Sequence, residues 1–149
     1  MRLFEERFED AIEILRGVVE TDRDYPAARY ELARALACAE RFGEALDVLA
    51  GFDGDERWHQ VRALEILCRA RDRNRRLQAF PDLSGLPPYQ RAVALVGFNR
   101  ADDAIEALQN AIVEDDPWIV FVRADPLLAS LRGRFGYRTV AERVRSAVA

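Results

Sequence analysis

The sequence predicts an all-α fold built from antiparallel helix pairs that repeat along the chain, and three observations carry that expectation. The stretch PAARYELARALACAERFGEALDVLA, residues 26–50, holds two apolar faces at helical spacing on either side of a polar break at Glu40–Gly43. Tyr30, Ala33, Leu36 and Ala37 line the first face; Ala45, Leu46, Val48 and Leu49 line the second. Short copies of the pattern recur as ERFEDAIEIL (6–15), ERFGEALDVL (40–49) and NRADDAIEAL (99–108), with Ala11, Ala45 and Ala104 in the same place. Finally, the tail carries two Asp-Pro pairs, Asp116–Pro117 and Asp125–Pro126, each a helix start in which Asp caps free N–H groups and Pro fits the first turn.

Bulk composition narrows the function classes. A chain of 149 residues reads as one domain, 1–149, with enough core to fold without disulfides or a structural metal. Its formal net charge of -4 argues against a general nucleic-acid binder. All 22 basic residues are arginine, which reads as the base composition of the genome rather than selection for forked contacts. Cys38 and Cys68 lie in apolar helical segments with no Cys or His at metal spacing, so they read as small buried hydrophobes in a reducing compartment. The acidic, amphipathic start lacks the apolar run of a secretory signal, and no stretch has the length and apolarity to span a membrane. A cytoplasmic protein is expected.

Taken in order, the first helix is expected over 4–20, with Phe4, Phe8, Ile12 and Leu15 recurring at steps of three and four. Thr21–Tyr25 reads as a turn, and Pro26 suits the first turn of the next helix. After the 26–50 pair, Gly51 and Gly54 mark a loop. A long helix follows over 57–71, apolar around most of its circumference and so expected to be central, with neighbours on two sides. It runs into Arg69, Arg71, Arg73, Arg75 and Arg76, and then into the irregular segment 77–88, which is rich in proline. That segment is a candidate to lie across the central helix. Pro88–Phe98 and Ala101–Val113 read as a further pair, with Leu95, Ala104, Leu108 and Ala111 at its packing positions. Thr139 and Glu142 have capping-box spacing and would begin the last helix of a cap over 117–149.

Ala11 and Ala45 are 34 residues apart, and internal similarity at that period marks one helical-repeat class. The chain resembles tetratricopeptide repeat (TPR) proteins. With Pro26 as the first position of a unit, Tyr30, Leu32, Ala33, Leu36, Phe42, Ala45 and Leu49 fall where that repeat wants aromatic, large, small, large, aromatic, small and large residues. Phe52 departs from the small residue expected there, Arg57 replaces the usual proline, and the 59 residues from Ala45 to Ala104 break the regular period. The tail resembles the ending of bacterial TPR modules attached to signalling and transcription regulators, in Asp116–Trp118, Asp125–Pro126, Leu131–Arg132 and Phe135. The resemblance implies antiparallel helix hairpins stacked as a short right-handed superhelix, closed by a C-terminal capping helix.

It also implies a function: a scaffold or adaptor that binds a protein or peptide on a concave surface lined by the first helix of each pair. Tyr30, Arg34, Ala37 and Cys38 would face that groove, joined by Leu64 and Arg71 and, from the later pair, by Tyr89, Val93 and Val96. Aromatics, aliphatics and a few arginines suit an acidic peptide. The chaperone-binding subclass needs a lysine-containing carboxylate clamp, and this chain has no lysine. The alternative reading is a nucleic-acid-associated regulator using Arg69–Arg76, against which no aromatic residue interleaves the arginines. Residues 1–24 carry eight acids and four arginines, whereas 123–149 carry two acids and six arginines, a polarity that suits self-association as a homodimer or head to tail. His59, the sole histidine, is not placed to pair with Cys38 or Cys68 as a nucleophile–base couple. No enzyme activity, cofactor or metal is expected.

Overall fold

Period-3.6 patterning gives helices throughout the residues described by the computed structural model, which are 2–52 and 58–148, with side chains over 7–52 and 58–147. No strand occurs among them. The chain forms two compact units, 1–77 and 78–149.

In the first unit, α1 (Arg2–Thr21), α2 (Pro26–Cys38), α3 (Phe42–Leu49) and α4 (His59–Arg71) follow one another. Helix α1 packs on α2, α2 on α3, and α4 on both α3 and α2. Small residues set the approach distances: Ala33, Ala45 and Ala63 have no exposed surface, and Leu36 and Leu64 fill the space beside them. Ala11 is half-buried. Pro26 occupies the first turn of α2, where the missing N–H costs nothing. Phe4, Gly54 and Arg57, which the sequence reading used, lie outside the residues whose side chains are described.

The second unit holds α5 (Pro88–Gly97), α6 (Ala101–Val113), 3-10 helices at Pro117–Phe121 and Pro126–Leu131, and α7 (Phe135–Val148). Helix α5 packs on α6 and on the second 3-10 helix, and α7 packs on α6. Every residue of α5 except Arg91 is buried. In the irregular segment, Leu83 and Leu86 are buried, and the Phe80 ring lies 4.8 Å from that of Phe98 with the Arg100 guanidinium 4.1 Å over it.

Both hairpins turn in the same way. At the end of α2, Glu40 has φ 60° and the Arg41 N–H donates to Leu36 O, 2.8 Å, while the Glu40 N–H donates to Ala37 O, 3.0 Å. At the end of α5, Asn99 has φ 58° and the Arg100 and Asn99 N–H groups donate to Leu95 and Val96 O. Asp115 closes α6 likewise, with φ 53°. This pair of bonds, with a left-handed residue between, satisfies the orphan carbonyls of a helix end and reverses the chain.

The start of the last helix corrects one expectation. Thr139 does not cap it: α7 begins at Phe135, and the Thr139 hydroxyl donates to the Phe135 carbonyl, 3.1 Å, one turn back inside the helix. The chain turns as soon as the preceding 3-10 helix ends, the Arg134 N–H donating to Leu131 O, so helix formation starts four residues early. A threonine inside a helix then bonds the carbonyl of the previous turn.

Candidate functional site

In the first unit the ends of α2 and α4 border a groove of about 600 Å3. One wall is the Glu40–Glu44 turn; the other is Arg71, Asp72, Arg73 and Asn74. Arg71 is half-buried and Arg73 exposed, and the Asp72 carboxylate accepts from the Asn74 N–H, 3.3 Å, which shapes the turn.

Arg41, on the first wall, is held in place. Its guanidinium donates to Glu9 on α1, 2.9 Å, and to Glu44, which also accepts from Arg16, 2.9 Å. The Arg41 hydrogen bond is the main reason the Glu44 carboxyl sits below the usual carboxylate range. These four side chains tie α1, the α2–α3 turn and α3 together, a network that residues 32 positions apart in sequence did not announce.

The residues expected to face a partner differ in depth within their own units. Tyr30, Ala37, Leu64, Tyr89, Val93 and Val96 are buried and offer a partner little surface. Arg34, Cys38 and Arg71 are half-buried. Arg34 donates twice to Glu31, 2.7 and 3.0 Å. Of these three, Arg71 lines the groove.

Tyr89 has a different role, fixed by both Asp-Pro pairs of the tail. Helix α5 opens with Pro87–Pro88 and no side-chain cap of its own, so its first available donor is the Tyr89 N–H, which meets an Asp116 carboxylate oxygen at 3.0 Å. The other oxygen of Asp116 caps Trp118, 3.0 Å. Asp125 repeats the device, accepting from the Leu127 N–H, 3.0 Å, and from the Tyr89 hydroxyl, 2.6 Å. Asp116 and Asp125 are both buried, and each carboxylate is shared between its own cap and Tyr89.

The arginine cluster is partly committed within the fold. Arg75 pairs with Asp47, 2.6 Å, and Arg69 donates to Arg75 O, 3.3 Å, and stands 3.9 Å from Glu65. Burial, then the neighbouring Cys38, Asp72 and Glu65, pushes the Cys68 thiol up to about 12. Among the described residues, no group of three or more His, Cys, Asp or Glu gathers as a metal-ligand set, and no helix is long and apolar enough to cross a membrane.

Residues 3–65, which span α1 to the middle of α4, match the family model described as Tetratricopeptide repeat. This segment belongs to the tetratricopeptide repeat family. The TPR match covers the α2–α3 hairpin with its Schellman-type turn and the fully buried Ala33, Ala45 and Ala63. The TPR family is a repeat scaffold that generally mediates protein–protein interaction. No curated protein and no solved structure matches the chain.

Proposed function

We propose that the chain is a protein-interaction scaffold, a cytoplasmic adaptor in bacterial signalling or regulation, whose partner is an acidic peptide segment. The observation that carries this reading is the groove at the ends of α2 and α4, with one wall, Glu40–Glu44, inside the segment that matches the TPR model and the other carrying Arg71 and Arg73 just beyond it. Two guanidiniums on one wall suit carboxylates of a bound peptide, since each presents a rigid fork of donors. Arg41 is pinned by Glu9 and Glu44, so the opposite wall is set before binding, which lowers the ordering cost. The nucleic-acid reading has less support, because Arg69 and Arg75 are engaged with Glu65 and Asp47.

An array of acidic peptides tests the proposal. Arg71→Glu with Arg73→Glu should weaken peptide capture by about tenfold or more, the change expected when two charge-assisted contacts are reversed. Arg75→Glu with Arg76→Glu should leave it within about twofold. If the second pair instead abolishes binding, and duplex DNA competes for the same protein, the regulator reading replaces this one.

A further inference from the structure

The second unit presents an apolar knob and the first unit a groove of matching character. At the knob, Val120 and Phe121 are 54% and 52% exposed at the end of a 3-10 helix. Phe121 is not loose: its ring stands 5.4 Å from that of Trp118, which stands 6.1 Å from the buried Tyr89. Val122, the next residue, is buried and accepts a hydrogen bond from the Tyr137 hydroxyl, 2.7 Å, which anchors the segment from the other side. Arg123 follows, exposed.

The groove lies among α1, α2 and α3 and encloses about 310 Å3. Val19 and Val48 with the deeper Leu32 and Leu36 form its apolar floor. Exposed Glu20 and Asp47 stand on its rim, and the Arg16–Glu44 ion pair crosses at 2.9 Å. It differs from the peptide groove above and shares only Glu44 with it. The charges are opposed: Glu20, from the acidic first helix, stands on the rim of the groove, and Arg123 follows the knob at the start of the arginine-rich end.

We propose that knob and groove are the two halves of one contact between copies of this chain. Phe121 of one copy seats on the Val19–Val48 floor of the next, and Arg123 meets Glu20 on the rim. Because the halves are different patches, the contact is heterologous: each copy in a pair keeps one unused half, so association continues or closes into a ring. A patch of this size gives a small, transient interface, with a Kd on the order of 10–100 μM. Opposed charge at the rim makes it weaken with salt.

Sedimentation velocity of the full chain across that concentration range reads the outcome. The mass should rise with concentration beyond one chain and fall back as salt is raised. Phe121→Glu and the rim variant Glu20→Arg should each raise the Kd by about tenfold or more and leave the helical circular dichroism unchanged. The decisive sample mixes the two variants. A heterologous contact restores one intact knob and one intact groove, so the mixture forms pairs of one chain each and grows no further. A wild-type mass fixed at one chain, association indifferent to either substitution, or a mixture that stays at one chain would each overturn the proposal. Arg71→Glu with Arg73→Glu should leave self-association unchanged, which separates this contact from peptide binding.

Discussion

The hydroxyl of Tyr89, a residue with no exposed surface, donates to a carboxylate oxygen of Asp125 across 2.6 Å. Asp125 is 6% exposed and uses its other oxygen on the Leu127 N–H. Removing the Tyr89 hydroxyl leaves a buried carboxylate with one donor fewer, which costs more than the bond itself contributes. Tyr89→Phe should therefore destabilise the protein by about 1–3 kcal/mol. A denaturant titration checks this, and an unchanged midpoint would show that Asp125 finds another donor.

The turn after α2 predicts a gain rather than a loss. Glu40 holds φ 60°, a left-handed conformation that glycine adopts without the Cβ penalty. Its side chain is exposed, so little packing is lost on truncation. Glu40→Gly should stabilise by about 0.5–1 kcal/mol. Asn99, at the matching place after α5, is already a residue that tolerates this region, so Asn99→Gly should gain less. Thermal unfolding of the two variants side by side tests the ranking.

The helix pairs Pro26–Leu49 and Pro88–Val113 were legible because their apolar spacing is regular and their boundaries carry proline or a polar break. The two Asp-Pro caps were legible for the same local reason: Asp116 and Asp125 do accept from Trp118 and Leu127. What periodicity omits is depth. It marks Tyr89, Val93 and Val96 as one face of a helix, yet α5 is buried around nearly its whole circumference, so that face is packing rather than surface. Nor does local spacing show that a capping aspartate serves a second donor 27 or 36 positions away. Thr139 misled because the capping-box spacing it makes with Glu142 also occurs inside a helix that has already begun.

The approach of α7 to α6 turns on one glycine. A Cβ on Gly136 would lie 2.9 Å from Cγ2 of Ile105, a methyl on a stiff, β-branched side chain that is 7% exposed. Gly136→Ala should overpack this contact and cost about 1–3 kcal/mol, more than its gain in helix propensity returns. Ile105→Ala on its own opens a void. The double variant should be less destabilised than the two singles predict, because the added methyl then points into space that the isoleucine has left. Additive effects in the cycle would place the clash elsewhere.

Alkaline pH acts through Cys68, whose side chain is fully buried between helices and whose thiol is pushed up to about 12 from an ordinary value of 9.0. Burial is the main cause, since a thiolate loses its hydration there, and the nearby Cys38, Asp72 and Glu65 act in the same direction. The folded state thus holds this proton more tightly than the unfolded chain does. Its contribution to stability is fully present below about pH 9 and declines as pH rises toward 12, by up to about 1.4 kcal/mol per pH unit. Cys68→Ala removes this dependence while leaving the tyrosines to titrate as before. The difference in denaturation midpoint between native and Cys68→Ala proteins should be constant from pH 6 to about 8.5 and then move against the native protein. Parallel curves up to pH 10.5 would mean that the thiolate is hydrated within the fold, and α4 would then be open to water at Cys68.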